Sequence, residues 1–397
     1  MCKETQGSPG REPEAHAPKR DFAEIPALRK AVIAGHICLD LTPALACSLP
    51  DLSPGKLVQV GTAAVHTGGA VANTGLAMRI LGADVRLLGK IGRDRFGQIV
   101  KSICAQYGSE GGLIEDPTAG TSYTVVLAIP GVDRIFLHHP GANDDFYAAD
   151  IPDRCFADAD HFHFGYPPLM RGMYERGGEE VLTLFRRAKG MGLTTSLDMA
   201  AVDPKSPAGQ VNWRALLQAA LPLTDFFLPS VEELCHMLDP AQYAAWNERA
   251  KGNDITAGLS IEEDVRPLAE AALSMGAKAV LVKCGALGIY YQTAGGPVMA
   301  PLCAALGLAP REWSGLRGHE ESFRVDHIAS ATGAGDVSIA AFLTAMLRGY
   351  GLAACVELAA AAGARCLSSY DALSALEPLD DLWQRIRNGW AKTGANR

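Results

Sequence analysis

Short apolar runs alternate along the chain with longer segments that have a helical period. The runs have the character of strands that are buried in a parallel sheet. They lie at residues 31–37, 85–91, 161–164, 194–197, 226–228 and 279–282. Helix-length segments lie at 70–81, 95–107, 178–189, 231–238 and 262–275, and further helices at 335–347, 353–367 and 379–390. This alternation predicts an α/β fold in which helices flank an open, mostly parallel sheet.

Two stretches interrupt the alternation, residues 41–66 and residues 113–139. Both are rich in Val, Thr, Leu and turn residues, and neither has a helical period. We therefore expect β-ribbons that leave the main sheet and form a lid. The α/β core, with the nucleotide and substrate sites, then comprises residues 29–40, 67–112 and 140–397.

The two ends of this pattern are less regular. Residues 1–28 contain several prolines and mixed charge, which predicts a disordered leader. Residues 292–318 have the composition of an insertion or a surface loop. No run approaches the ~18 apolar residues of a membrane span, and the N-terminus has no secretory apolar stretch. We expect a cytoplasmic protein with no membrane partner.

Composition narrows the possible functions. The 397 residues carry 36 Lys and Arg against 44 Asp and Glu, a net charge of −8. A nucleic-acid partner is not expected, because such a protein normally carries a basic face. The 10 cysteines include no C-x-x-C pair, so neither a zinc ribbon nor a redox motif is indicated. We interpret them as buried thiols in a reducing compartment.

The most informative motif is the sequence Gly333-Ala334-Gly335-Asp336 before an apolar helix. Its glycines let the backbone approach a ligand and aim several N–H groups at one point, where the helix dipole also favours an anion such as a phosphoryl group. Asp336 lies in the first helical turn, where it can act as a base toward a nearby hydroxyl. Taken alone, the motif is equally compatible with a glycine turn and an N-terminal Asp cap.

A second motif, Gly68-Gly69 followed by Asn73, begins another helix. Paired glycines again allow close approach, here to a polyhydroxy ligand, and the Asn73 amide can donate and accept hydrogen bonds at once. Each motif is weak alone. Together, about 260 residues apart and in this order, they are specific.

On these motifs the chain resembles the ribokinase-like, or PfkB-type, carbohydrate kinases over about residues 30–375. The resemblance also includes Asp40, at the end of a Gly-x-x-x-x-Asp segment that starts at Gly35. It implies a three-layer ribokinase-like fold with a small β-sheet lid. It also implies ATP-dependent transfer of the γ-phosphoryl group to a primary hydroxyl of a small sugar or sugar derivative, with ATP and Mg²⁺ as cofactors. A homodimer is expected, because lid-to-lid pairing is common in the family and the lid strands have edges to cover.

The resemblance assigns roles to individual residues. Asp336 looks like the catalytic base, and Gly333, Ala334 and Gly335 with Asp336 look like an anion hole built from N–H groups. Asp40, Gly68, Gly69 and Asn73 look like sugar contacts. Lys283, Gly285 and Gly288 look like part of the nucleotide pocket, and Glu233 looks like a Mg²⁺ residue that acts through water.

Three positions depart from the family pattern. Ser230 replaces an Asn that often precedes the residue matched by Glu233. Ser330 stands where many members have an Asp that helps bind a monovalent cation, which leaves K⁺ activation open. Ala70 stands where some pentose kinases carry Lys, so the resemblance does not imply ribose itself. His161 and His163 share one strand face that can hold a metal, but with no third ligand we expect structural histidines.

Other functions remain as alternatives. A nucleoside or phosphosugar kinase is the first, although a phosphosugar would need lid cations and only Arg134 and Lys56 are evident. A metabolite sensor without catalysis is the second, although such a descendant has no need of Asp336. A P-loop kinase and a Rossmann dehydrogenase are disfavoured, because the sequence has neither Gly-rich signature.

Overall fold

The computed structural model describes residues 29–45, 53–129 and 135–394. The expected leader and Arg134 lie outside these ranges, as do parts of both expected lid segments. The strands are β1 (Lys30–Gly35), β2 (Cys38–Pro43), β3 (Ala63–Gly68), β4 (Asp84–Leu88), β5 (Lys90–Gly92), β6 (Ile114–Asp116), β7 (Tyr123–Leu127), β8 (Ile135–His139), β9 (His161–Gly165), β10 (Thr194–Leu197), β11 (Phe226–Phe227), β12 (Ala279–Lys283), β13 (Ile289–Thr293) and β14 (Arg317–Glu320). The α-helices are α1 (Ala70–Ile80), α2 (Arg95–Gln106), α3 (Arg171–Tyr174), α4 (Glu179–Gly190), α5 (Trp213–Ala220), α6 (Val231–Leu238), α7 (Pro240–Ala250), α8 (Arg266–Ser274), α9 (Gly296–Leu306), α10 (Ala334–Leu347), α11 (Leu352–Cys366) and α12 (Leu379–Arg387).

An 8-stranded sheet forms the centre of the fold, in the order β14-β13-β12-β11-β10-β9-β1-β4. The strands from β12 to β4 are parallel to their neighbours, and the β12-β13 and β13-β14 pairs are antiparallel. Alternation along β1 separates two cores. Ala31 and Ile33 face one core with α1, α10 and α11, and Val32 and Ala34 face the other with α4, α5 and α6. The predicted α/β fold, with a mostly parallel sheet between helix layers, is confirmed.

A separate 4-stranded sheet has the order β3-β2-β7-β8. Strand β1 ends at Gly35 and β2 begins at Cys38, so Asp40 belongs to this small sheet and not to the end of the first core strand. Strand β6 pairs with β5 in a third, 2-stranded sheet. The small sheet is therefore built from β2, β3, β7 and β8, and the start of the 113–139 segment lies outside it.

The expectation of a surface loop at 292–318 was wrong, and the alternative of an insertion stays a prediction. The segment contains the end of β13, helix α9 and the beginning of β14, and Met299, Leu302 and Trp313 in it are buried in the core. Gly296 and Pro297 occupy the first turn of α9, where a missing N–H costs no intrahelical hydrogen bond. The composition of the segment suggested a loop, although these two residues begin a helix.

Two further expectations concern membrane spans and cysteines. No helix within the described ranges has the length and apolarity needed to cross a membrane. Each of the eight described cysteines is a free thiol, and all but Cys155 are buried.

Candidate active site

Asp336 lies in the first turn of α10, at the edge of the sheet where the parallel strands end. The helix follows Gly333, whose φ of 75° is a left-handed conformation that favours glycine. A side chain at this position would also collide with Ala372. The carboxylate of Asp336 is 3% exposed. Burial raises its pKa, and hydrogen bonds from Asn73 and Tyr166 oppose that rise.

The two sequence motifs meet at this carboxylate. The amide of Asn73, in α1, donates to Asp336 Oδ2 over 3.0 Å. Helix α1 starts after Gly69, whose φ is 83°, and the backbone N–H of Val71 donates to the carbonyl of His36. The start of α1 is thereby fixed to the end of β1.

Tyr166 contacts Asp336, and no motif in the sequence predicted this contact. It follows β9, and its hydroxyl donates to Asp336 over 2.8 Å to each of Oδ1 and Oδ2. The residue adopts a φ of 66° and a ψ of 42° directly before Pro167. A non-glycine residue in this conformation is uncommon and is a signal of a functional site, but it becomes visible only in the structure.

Asp40 lies in the interior of β2, in register with His66 on β3 and Thr124 on β7. Cys38 Sγ donates to its Oδ1 over 3.3 Å. Burial raises the pKa of Asp40, and contacts with Cys38 and Thr124 oppose the rise. A Cβ at Gly68 would collide with the Asp40 carboxylate, so the glycine leaves space for this side chain.

Lys283, at the end of β12, forms a buried ion pair with Asp198 after β10. Its Nζ lies 2.7 Å from Asp198 Oδ1 and 2.6 Å from the carbonyl of Leu228. The Lys283 side chain also packs against Gly335, where a Cβ would lie 3.4 Å from the lysine Cε. Burial alone would lower the pKa of Lys283, but the Asp198 and Glu233 carboxylates raise it. The ammonium group therefore stays charged beside the Gly-Ala-Gly turn.

Burial raises the pKa of Asp198, and the Lys283 ammonium opposes that rise. Glu233 and Asp336 carry further negative charge near this carboxyl. Three acidic groups and one lysine thus share one buried region at the carboxyl edge of the sheet.

Glu233 and Ser230 cap helix α6. Glu233 Oε2 accepts from the backbone N–H of Ser230 over 2.7 Å, and Ser230 Oγ accepts from the backbone N–H of Glu233 over 3.2 Å. This reciprocal capping box explains why serine is suitable at position 230.

Gly285 and Gly288 bound the short turn between β12 and β13. Their φ angles are 55° and 103°. A Cβ at Gly285 would lie 2.8 Å from Thr256 Oγ1, and a Cβ at Gly288 would collide with the carbonyl of Glu320. The turn lies close to Lys283 in the sequence, but no hydrogen bond joins Gly285 or Gly288 to Asp336.

Two polar side chains next to the end of β1 complete the region, His36 directly after β1 and Asn143 after β8. Asn143 fixes Ile37, since its Oδ1 accepts from the Ile37 N–H and its Nδ2 donates to the Ile37 carbonyl. His36 is 1% exposed, and neither of its ring nitrogens has a hydrogen-bond partner. Burial lowers the pKa of His36 to about 3, so its ring is neutral. The His36 ring lies 5.3 Å from that of His138 on β8 and 6.2 Å from that of Tyr166.

Metal ligation by protein side chains alone is not supported in the described ranges. They contain no group of three His, Cys, Asp or Glu residues that could hold a metal ion. His161 bonds through both ring nitrogens to Thr194 and Ser196, and His163 bonds through Nδ1 to Ser196, while the buried Nε2 of His163 has no partner. Asp198, Glu233 and Asp336 supply carboxylates in this region. Mg²⁺ is usually bound through one or two carboxylates together with substrate phosphates.

Comparisons with known proteins agree with this geometry. Residues 29–378 match the model of the pfkB family carbohydrate kinases. A ribokinase from Thermotoga maritima superposes with a TM-score of 0.65 at 20% identity, covering 91% of this chain and 100% of its own. A fructokinase with bound ATP from Xylella fastidiosa gives 0.66 at 21% identity, with 90% and 98% covered. An Arabidopsis thaliana ribokinase complexed with ribose and ATP gives 0.65 at 17% identity, with 91% and 99% covered. No curated protein sequence matches the chain.

Proposed function

This chain belongs to the pfkB family of carbohydrate kinases, and we propose that it transfers the γ-phosphoryl group of ATP to a primary hydroxyl of a small sugar or sugar derivative. The observation that carries this proposal is the position of Asp336. This buried carboxylate lies at the N-terminus of α10 and is hydrogen-bonded to Asn73 of the second motif. A base at this point has a phosphoryl site on one side and a polyhydroxy site on the other.

In this mechanism Asp336 accepts the proton of the acceptor hydroxyl. The hydroxyl oxygen forms its bond to the γ-phosphorus while the bond from phosphorus to the leaving oxygen of ADP breaks. The N–H groups of Gly333, Ala334, Gly335 and Asp336 lie at the N-cap and in the first turn of α10, where an α-helix leaves donors without intrahelical acceptors. The Ala334 N–H donates over 3.4 Å to the carbonyl of Ala331, which lies outside the helix. We assign these N–H groups to the charge that develops on the transferring group.

The acceptor sugar is assigned to the side of Asp336 that faces the small sheet. Asp40 and Asn73 are the proposed partners of its hydroxyls, and Gly68 and Gly69 leave room for close approach. The support for this role of Asp40 is its position in β2, opposite His66, with its carboxylate next to Gly68.

The nucleotide is assigned to the end of β12, with Lys283, Gly285 and Gly288. Since Lys283 packs against Gly335, we assign its ammonium group to a phosphate of the nucleotide rather than to the base. Glu233 is the proposed carboxylate for Mg²⁺, acting through water because one of its oxygens already caps α6. When bound there, Mg²⁺ would supply positive charge that offsets the negative charge of the phosphates.

Residues 41–66 and 113–139 are proposed to contribute the lid, and the small sheet is its described part. Closure over the acceptor would exclude water, which otherwise competes for the phosphoryl group. Both edges of this sheet carry exposed apolar residues, namely Val65 on β3 and Leu137 on β8. We propose that a second copy of the chain covers them in a homodimer.

Release of ADP from MgATP, measured over a panel of about twenty sugars, sugar acids and nucleosides, tests the proposed function. Turnover with a sugar, together with a phosphate ester in the ³¹P NMR spectrum of the product, is the expected result. Asp381→Asn, on the exposed face of α12, is a control for preparation and folding. Binding of panel members by calorimetry without any ADP release would instead favour the metabolite sensor.

A further inference from the structure

Tyr166 presents to Asp336 the same chemical group that a sugar acceptor presents. A hydroxyl that loses its proton to a base must lie about 2.6–3.2 Å from it. The phenolic oxygen meets this condition at both carboxylate oxygens, at 2.8 Å. Asn73 already donates to Oδ2, and Thr74 Oγ1 lies 3.5 Å from Oδ1. The phenol therefore occupies the remaining hydrogen-bonding side of the carboxylate.

The backbone at Tyr166 is held in an unfavourable conformation that produces this contact. Its φ of 66° brings the Cβ of an L-residue into steric conflict, and the proline that follows further restricts the residue to extended conformations. The turn is fixed by hydrogen bonds from Leu169 N–H to the Tyr166 carbonyl and from Met170 N–H to the Pro167 carbonyl. Strain of this kind persists where surrounding structure enforces it, commonly at active sites.

Two buried ring nitrogens near the Tyr166 phenol have no hydrogen-bond partner. The ring of His36 lies 6.2 Å from the Tyr166 ring, and both of its buried nitrogens lack partners. His138 approaches His36 from strand β8 of the small sheet. An incoming alcohol can therefore find partners next to the phenol while it replaces the phenolic hydrogen bond to Asp336.

We propose that Tyr166 is a positioning residue that holds the place of the acceptor hydroxyl beside Asp336 and excludes water from it until an alcohol displaces the phenol. This inference rests on the proposed function, because it requires Asp336 to be the base. Replacing one O–H donor by another leaves the buried carboxylate satisfied in both states. Water at the same position would be activated by the base and would hydrolyse ATP.

The test is ATP hydrolysis in the absence of any acceptor, with Tyr166→Phe compared with the wild type. The variant removes one O–H donor and leaves a polar space next to Asp336 that a water molecule can enter. We expect ADP release without acceptor to rise about tenfold, the factor that corresponds to one hydrogen bond to a charged group. Tyr174→Phe is the matched control, because Tyr174 packs against Trp213 in the core and should leave hydrolysis unchanged.

The pH profile of this hydrolysis separates positioning from a structural role. The groups that face Asp336 are Asn73 and Thr74 of α1, Tyr166 after β9, Asp198 after β10, Glu233 of α6, Lys283 of β12, Asp40 of β2 and Cys366 of α11. The Tyr166→Phe change leaves the other groups in place. It removes only the hydrogen bond from Tyr166, which favours the ionised form of the Asp336 carboxylate. The acidic limb should therefore move to higher pH in the variant.

Several outcomes would overturn the inference. Unchanged or lower ATP hydrolysis in a folded Tyr166→Phe variant would overturn it. Stable phosphorylation of Tyr166 itself after incubation with MgATP would also overturn it. A rise that persists in the double variant Tyr166→Phe, Asp336→Asn would show that the extra water is not activated by Asp336. These tests need no acceptor. A panel without any phosphorylated sugar would therefore refute the proposed function, whereas an active kinase with unchanged Tyr166→Phe hydrolysis would refute only the shielding role.

Discussion

Asn73 donates a hydrogen bond of 3.0 Å to Asp336, although 263 positions separate them in the sequence. Each residue lies in the first turn of a helix that starts after a glycine with positive φ, Gly69 in one case and Gly333 in the other. The two helices pack side by side on the same face of the central sheet. This hydrogen bond therefore fixes the orientation of the Asp336 carboxylate, the proposed base, from the side of the proposed sugar site.

Asp336→Asn should lower kcat by about 10²- to 10⁴-fold, the usual contribution of a general base. The change preserves the size of the side chain and removes its ability to accept a proton, together with its negative charge and one of its two acceptor oxygens. Affinity for ATP should change little, as measured by calorimetry with a non-hydrolysable analogue. A kcat within about threefold of the wild type on the true acceptor would remove Asp336 from the mechanism.

The pH dependence of kcat/KM should show an acidic limb that lies above the ordinary aspartate pKa of 3.8, because burial raises the pKa of Asp336. The base is active only when it is ionised, so activity falls as the pH decreases through this raised value. Initial rates at low acceptor concentration give the profile. Circular dichroism over the same pH range serves as the control for unfolding. A limb at or below 3.8 would contradict the assignment.

Most of the central architecture was predictable, because buried parallel strands and amphipathic helices have distinct periods. The expected strands at 161–164 and 194–197 correspond to β9 and β10, and the helix expected at 70–81 corresponds to α1. Both glycine motifs also begin helices, as their positions before apolar segments indicated. In each of these cases the local sequence pattern was sufficient to predict the strand or helix.

The features that were missed depend on contacts that are distant in sequence. Tyr166 has no motif around it, and its link to Asp336 spans 170 positions. The placement of Lys283 beside Gly335 arises because β12 ends next to the start of α10, which the sequence alone does not show. Helix α9 was missed for a different reason, since its glycine and proline residues resemble those of a loop.

Asp40→Ala should raise the KM of the acceptor roughly ten- to a hundredfold, because it removes a charge-assisted hydrogen bond to a substrate hydroxyl. The KM of ATP should stay unchanged. Gly68→Ala should have a similar effect by steric means, since the added methyl group would collide with the Asp40 carboxylate. Gly111→Ala is the control, because nothing lies within 4 Å of a Cβ at that position. A rise in the KM of ATP alone would show that the two sites were assigned the wrong way round.

Lys283→Met should reduce both stability and turnover, for separable reasons. The change leaves Asp198 buried without its cation, and breaking a buried ion pair costs about 3–5 kcal/mol. Adding Asp198→Asn removes the uncompensated charge and should restore most of the free energy of unfolding in urea titrations. Turnover should remain low in the double variant, because the phosphate still lacks the ammonium group. Recovery of activity together with stability would mean that Lys283 has only a structural role.

The small sheet should mediate a homodimer of about twice 42.0 kDa in light scattering at micromolar concentration. Leu137 is 54% exposed on the edge strand β8, and such an edge is normally covered or charged. Leu137→Glu places a charge at this edge and should yield the monomer. Met191→Glu, at an exposed apolar residue after α4, is the control and should leave the mass unchanged.

The same sheet should respond to the acceptor if it belongs to the lid. Hydrogen exchange in β2, β3, β7 and β8 should slow when a saturating acceptor is added, since closure protects amides that open locally in the free enzyme. Unchanged exchange in all four strands would contradict the lid assignment, and a wild-type monomer would contradict the dimer. The two results are independent because one lid can cover its own site without a partner. A monomer whose exchange still slows with acceptor would therefore retain the lid and lose only the dimer.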